Sequence, residues 1–171
     1  RGWGLAVWNE GVDAAREVHA TIEEIRFAFP IDNLSVSRWP TLRDLHWVMQ
    51  DNDGTYVIPG GQARRLNVFY YNQKSKKVEL SYHRATDQFR EQNALPTIAP
   101  LLISISISSN GAHPLYAVCR IDPKVAANMI LEGLSGADPF QLIYTGPYRR
   151  LSEFEEEPPL KQPLESLYVS Y

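Results

Sequence analysis

The sequence contains a single cysteine, Cys119, so the 171-residue chain cannot form an internal disulfide bond. One unpaired thiol favours a reducing, intracellular compartment, either cytoplasmic or nuclear. No apolar run approaches the about 20 residues that a membrane-spanning helix needs. The net charge of −3 is too small to indicate a nucleic acid, a membrane surface or an acidic substrate by itself. These absences, with 44% hydrophobic residues, predict a soluble globular protein with one sizeable core.

Sequence motifs of known chemistry are also missing. The stretch "DNDG" at 51–54 lacks the spacing of a calcium loop and is interpreted as a turn, and "GLSG" at 133–136 does not fit a nucleophile elbow. The histidines are not spaced as zinc ligands, and there is no second cysteine to help them: His19, His46, His83 and His113. We therefore predict no catalytic residue, no metal site and no cofactor.

Hydrophobic periodicity predicts an α+β fold. We expect one domain over 1–149, with a mainly antiparallel sheet of about five to seven strands. Two longer helices are expected at about 13–29 and 123–132, and a short helix near 86–94. A short first strand or a plug is expected at 1–8, and a last strand at 140–145. One helical turn followed by a hairpin is expected over 41–59.

The two longer helices are predicted from different signals. In the first, Val18, Ile22, Ile25 and Phe29 fall on one stripe at steps of four, three and four residues. In the second, Asp122 can cap the first turn, a proline occupies the first helical position and a glycine ends the run.

A hairpin is predicted over 64–84 from two alternating segments. The register that puts the apolar residues on one face of the hairpin places Val68 opposite Leu80. On the other face, Phe69 lies opposite Glu79. On that outer face Phe69 and Tyr71 would be exposed. The loop is expected around 72–76.

A second hairpin is predicted over 101–122, where Asn110-Gly111 suits a two-residue turn. That turn would place Ser104 opposite Ala117 and gather small side chains on one face. Such a face is typical of a pocket floor, of close approach by a helix, or of serines that contact water. The candidate pocket residues are Ser104, Ser106, His113 and Cys119.

The first hairpin is the most suggestive candidate surface, because residues 64–84 hold six cations against one acid, Glu79. Cations beside exposed aromatic rings suit binding of a partner, including phosphate contacts with base stacking. A solvated hairpin face would have the same composition. The candidate contact residues in this hairpin are Arg64, Arg65, Phe69, Tyr71, Lys74, Lys76, Lys77, His83 and Arg84.

The C-terminal residues 150–171 differ in composition, being proline-broken and acidic in the middle. They are interpreted as an extended arm or a disordered tail, whose acids could lie over Arg65, Lys76 and Lys77. The apolar side chains of this segment would supply the affinity for a partner by burial in a groove or on a sheet edge: Phe154, Leu160, Leu164, Leu167 and Tyr168.

Three functions remain open. The first is a non-enzymatic module that binds a partner protein, or its own copy, through the basic-aromatic hairpin or the C-terminal arm. The second is an enzyme or small-molecule-binding domain with a pocket on the small strand face. The third is binding of single-stranded nucleic acid through the 64–84 hairpin.

Overall fold

The fold is built mainly from antiparallel strands, and the computed structural model describes it over residues 1–31, 39–50, 56–133 and 137–159. The strands are β1 (Gly2–Trp8), β2 (His19–Phe27), β3 (Arg43–Asp44), β4 (Ala63–Asn72), β5 (Lys77–Leu80), β6 (Leu101–Ser108), β7 (Leu115–Ile121) and β8 (Phe140–Gly146). The helices are α1 (Asp87–Gln92), α2 (Pro123–Glu132) and a 3-10 helix, Leu151–Phe154. One sheet has the order β1-β4-β5 and the other β3-β2-β6-β7-β8.

The two sheets pack face to face around one hydrophobic cluster. Phe69 in β4 stacks on Trp3 in β1, with ring centroids 4.9 Å apart, and its centroid lies 5.6 Å from that of Phe140 in β8. Ile22 and Ile103 join this cluster from the five-stranded sheet. The antiparallel α+β class is thus confirmed. In the described residues, however, the strands number eight and form two sheets, where the sequence predicted one sheet of fewer strands.

The helix predicted over 13–29 is wrong, because residues 19–27 form β2. Ile22 pairs with Ile105 and Glu24 with Ser104, so Glu23 is an extra residue, a β-bulge. The bulge puts Ile22 and Ile25, three residues apart, on the same buried face. A bulged strand thereby reproduces the spacing of a helical stripe.

A second bulge explains why the register predicted for the 64–84 hairpin is one residue off. Trp3 pairs with Phe69 and Gly4 with Asn67, so Val68 is the extra residue in β4. Beyond the bulge the faces of β4 are exchanged, and Phe69, not Val68, pairs with Leu80. The predicted exposure of Phe69 and Tyr71 is therefore wrong: both are buried, at 0% and 3% exposure.

The register predicted for the 101–122 hairpin is also one residue off. Ser104 pairs with Val118 and Ile103 with Cys119. The connection 109–114 is longer than a two-residue turn, and the backbone N–H of Asn110 donates to the carbonyl of Arg16, just before β2. The loop is thus anchored by a distant segment, and its length shifts the pairing by one.

The end signals predicted for α2 are confirmed, and a capping side chain also begins α1. The Thr86 side chain accepts from the Phe89 N–H at the start of α1. The Asp122 side chain accepts from the Val125 N–H at the start of α2, and Gly133 ends that helix with a φ of 67°. The strands expected at 1–8 and 140–145 are β1 and β8.

The segment 43–47 crosses from one sheet to the other. Its first residues form β3 on β2, whereas Leu45 and Trp47 bridge to Tyr82 and to Leu66 in β4. The helical turn predicted here is wrong, because the Leu45 N–H donates to the carbonyl of Ala20 across strands. The turn predicted at 51–54 lies outside the described residues.

Residues 147–157, the C-terminal strap, pack on the outer face of the five-stranded sheet. Leu151 is fully buried in a second cluster with Ala28, Leu102 and Val118. The Glu156 N–H donates to the carbonyl of Ala28. Leucine burial thus holds the strap on the sheet.

The acids of the strap have other partners than the cations predicted for them. Glu155 pairs with Arg26 at 2.8 Å, and Glu156 pairs with Arg120 in β7. Phe154 contacts the ring of Tyr144 at 5.4 Å between centroids. The assignment of 150–171 to a separate arm stays a prediction, and Leu160, Leu164, Leu167 and Tyr168 lie outside the described residues.

We predict that Phe69→Ala lowers the free energy of unfolding by about 3–5 kcal/mol, because it removes a ring packed between both sheets. Urea unfolding followed by circular dichroism measures this. Val12→Ala, at a side chain that is 97% exposed, is the control and changes stability by less than about 0.5 kcal/mol. An unchanged midpoint for Phe69→Ala would contradict the packing described above.

Candidate functional site

The structure disperses the contact residues predicted on the 64–84 hairpin. The lysines Lys74, Lys76 and Lys77 are exposed around the turn, and Lys77 lies 3.8 Å from Glu91. Arg64 and Arg65 lie at the opposite end of β4. Because Phe69 and Tyr71 are buried, neither ring lies at the surface beside these cations.

The candidate pocket on the small strand face does not form from its predicted residues. Ser106 donates to the Glu23 carboxylate at 2.6 Å, and the buried Ser104 hydroxyl has no partner among the described residues. Cys119 lies on the other side of the sheet, in the central core, and His113 is in an exposed loop. The register error explains this, because a shift of one residue separates the serines from the cysteine.

Cys119 is a buried core residue and lacks the features of a nucleophile. Burial raises the pKa of its thiol to about 12. A reactive cysteine needs a lowered pKa and access to solvent, and Cys119 has neither.

Two histidines meet where segment 43–47 passes residues 81–83. The N–H of His46 donates to the carbonyl of Ser81, and the N–H of His83 donates to the carbonyl of Asp44, each at 2.8 Å. These backbone bonds bring the Nδ1 atoms of His46 and His83 to 3.1 Å, with the rings stacked 5.3 Å apart. No sequence signal predicts this pair, because the two residues are 37 positions apart and lie on no common motif.

The pair opens into a cavity of about 380 Å³, which we name the histidine cleft. Arg90 borders it and donates to the carbonyl of Tyr82 at 3.4 Å and to Asp87 at 3.3 Å. The remaining lining includes Arg84, Tyr70 and Ser81. Within the described part of the chain, no carboxylate lines the cleft.

Burial and nearby cations keep both histidines neutral near pH 7. Burial lowers the pKa of His46, and Arg90 lowers it further. Burial also lowers the pKa of His83, with contributions from His46 and Arg84 that outweigh the opposing effect of Asp44. In a neutral pair, one Nδ1–H donates to the Nδ1 lone pair of the other ring.

A buried carboxylate outside the lining holds Tyr70, which forms one wall of the histidine cleft. Glu79 is fully buried and accepts from the Tyr70 hydroxyl at 2.8 Å, the Ser75 hydroxyl at 2.7 Å and the Asn72 amide. Burial, with the hydrogen bond to Glu79, raises the pKa of Tyr70 to about 12. Tyr70 therefore stays a neutral phenol.

A second cavity, of about 500 Å³, lies between the edges of the two sheets and is named the edge groove. It runs between β1 and β8, each of which pairs with one strand only in the described structure. Three large apolar side chains in its lining are exposed: Trp8 at 65%, Leu142 at 51% and Leu115 at 44%. The sequence pattern missed this groove because edge strands are defined by distant pairings.

Other kinds of site lack support in residues 1–31, 39–50, 56–133 and 137–159. These residues contain no group of three side chains placed to hold a metal ion. No helix among them is long and apolar enough to cross a bilayer. The chain matches no protein-family model, no curated protein and no solved structure at a significant level of similarity. We therefore infer function from the histidine cleft and the edge groove.

We predict that a thiol reagent labels native Cys119 at least about 100-fold more slowly than the urea-unfolded chain at mildly alkaline pH. The reason is burial, which blocks access and raises the pKa of the thiol. Release of the chromophore from a disulfide reagent measures the rate. Equal rates in the native and unfolded states would place the thiol at the surface.

We predict that the histidine pair makes stability fall as the pH drops below about 6.5, the unfolded pKa of histidine. Because both folded pKa values are lowered, the unfolded chain binds more protons in this range. A fully buried group would lose about 1.4 kcal/mol of unfolding free energy per unit of pKa shift. The loss here is smaller, because solvent screens this half-buried pair.

Urea unfolding at several pH values measures this effect. The double variant His46→Gln with His83→Gln flattens the dependence, and His113→Gln, in an exposed loop, is the control. Parallel curves for wild type and the double variant would show that the pair does not titrate as described.

Proposed function

We propose that this protein is a non-enzymatic interaction module that holds a short extended segment of a partner protein in the edge groove. The supporting observation is the concentration of Trp8, Leu115 and Leu142, three exposed apolar side chains, around one cavity of about 500 Å³. Contiguous exposed apolar surface is typical of a binding site, because its exposure to water is unfavourable.

Burial of these side chains gives the groove its affinity. Complete burial of a large apolar side chain contributes about 1.5–3 kcal/mol, and the three start roughly half exposed. The flanking β1 and β8 have outer edges with backbone groups that can pair with an extended chain. Both kinds of contact favour an extended segment with apolar side chains at alternate positions.

A short segment fits the groove better than the edge of a second copy. Ile143 is an extra residue in β8, since Val118 pairs with Tyr144 and Cys119 with Leu142. Such a bulge interrupts regular pairing and hinders continuous edge-to-edge association. Glu10 also lies in the lining and favours a basic residue at that end of the bound segment.

The two alternative functions lose the features on which they depended. Base stacking on the 64–84 hairpin needs Phe69 and Tyr71 at the surface, and both are buried. A small-molecule pocket on the small strand face needs Ser104 and Cys119 on one side of the sheet, and they lie on opposite sides.

We predict that Leu142→Asp weakens binding of extended apolar peptides by about 10-fold or more, which corresponds to about 1.4 kcal/mol. Peptides selected from a random display library against the wild-type protein serve as ligands, and calorimetry measures their affinity. The matched control is Leu131→Asp on α2, which is 64% exposed and lies outside the groove lining. Circular dichroism confirms that both variants fold.

Hydrogen exchange locates the bound peptide. Protection confined to β1 and β8 supports the proposal, and selected peptides that carry a basic residue support the role of Glu10. Equal affinity for both aspartate variants, or protection elsewhere, overturns it. Sedimentation that shows a dimer broken by Leu142→Asp assigns the groove to a second copy and overturns the partner-segment proposal.

A further inference from the structure

We propose that the histidine cleft binds a phosphate group, either free phosphate or the phosphate of a small molecule. The inference goes beyond the proposed function, because the histidine cleft and the edge groove share no lining residue. Either site can therefore fail its test without affecting the other.

The charges around the cleft favour an anion. Arg84 and Arg90 line it beside the two histidines, and within the described residues no carboxylate does. Three acids lie near the cleft but outside its lining, and one of them, Glu79, accepts from the Tyr70 hydroxyl. Asp44 accepts from Thr21 at 2.8 Å and lies 2.9 Å from His19, and Asp87 pairs with Arg90. The charged side chains of the lining are thus basic, and a bound anion competes with the exposed Asp87 for Arg90.

The hydrogen-bond donors suit a tetrahedral oxyanion. Arg90 is held in place by the Tyr82 carbonyl, and its planar guanidinium can donate to two oxygens of one phosphate. Arg84 is exposed and adds a second guanidinium from the rim. The volume of about 380 Å³ leaves room for a phosphate and bridging water.

The histidine pair can take up one proton without losing its internal bond. In the neutral pair the ring that donates through Nδ1 has a free Nε2 lone pair. A proton added there creates a cation while the Nδ1–H···Nδ1 bond of 3.1 Å is kept. A second proton would place hydrogens on both Nδ1 atoms and break the bond. The pair therefore supplies one additional positive charge to a bound anion.

Anion binding is consequently coupled to pH. His46 faces Arg90, and His83 faces His46, Arg84, Asp44 and His19. A bound dianion offsets the two arginines and favours protonation of the pair. By linkage, protonation of the pair tightens anion binding by the same factor.

The test is a titration of the full chain with sodium sulfate, whose charge stays constant over the pH range, at fixed ionic strength. Calorimetry measures affinity, and NMR follows the histidine ring resonances. We expect saturable shifts of His46 and His83, with binding at least about 3-fold tighter at about pH 5.5 than at about pH 7.5. Inorganic phosphate binds at the same site, and acetate binds more weakly because it lacks the tetrahedral dianion.

Charge-matched variants separate the cleft from general surface charge. Arg90→Gln weakens sulfate binding about 10-fold or more, whereas Arg65→Gln, at an exposed arginine outside the cleft lining, leaves it unchanged. Phosphoserine tests the source: tighter binding than inorganic phosphate assigns a phosphorylated small molecule, and equal binding assigns free phosphate.

Several results overturn the proposal. These are the absence of saturable shifts at the two histidines in the wild-type protein, equal losses in Arg90→Gln and Arg65→Gln, and acetate binding as tight as phosphate. Zinc that displaces sulfate from the two rings would make the pair a metal site instead. The wild-type NMR titration decides the matter even where Arg90→Gln fails to fold.

Discussion

Contact between the two sheets through Phe69 determines the rest of the structure. Its ring lies against Trp3 of its own sheet and near Phe140 of the facing sheet, so one side chain joins three strands. This position requires the bulge at Val68, which turns Phe69 toward the core and brings Tyr71 with it. The same turn places Tyr70 and Glu79 on the opposite face, where Tyr70 forms a wall of the histidine cleft. The orientation of Phe69 in the core and of Tyr70 in the cleft wall thus follows from a single extra residue.

Features fixed by neighbouring residues were predictable from the sequence, and features fixed by distant ones were not. The start of α2 at Asp122-Pro123 and its end at Gly133 involve groups within one helical turn. The bulge at Glu23 arises from pairing with β6, some eighty positions away, and no local pattern distinguishes it from a helical stripe. The 109–114 loop is likewise set by its bond to Arg16, and with it the face on which Cys119 lies.

The histidine cleft and the edge groove likewise could not be predicted from the sequence. His46 and His83 meet only because segment 43–47 leaves one sheet and joins the other, so their proximity is a result of topology. The edge groove exists because β1 and β8 are both outermost strands and lie on the same side. The types of residue were visible in the sequence, including histidines, arginines and exposed apolar side chains. Their grouping was not, since it depends on strand order.

The C-terminal strap has a consequence for synthesis of the chain. Ala28, Leu102 and Val118 form an apolar patch on the outer face of the five-stranded sheet, and Leu151 fills it. Each of these three residues leaves the ribosome before Leu151 does. During that interval the nascent sheet exposes an apolar outer surface, which can bind chaperones or form non-native contacts. Emergence of residues 151–156 from the ribosome allows Leu151 to cover this surface and Glu156 to pair with Arg120.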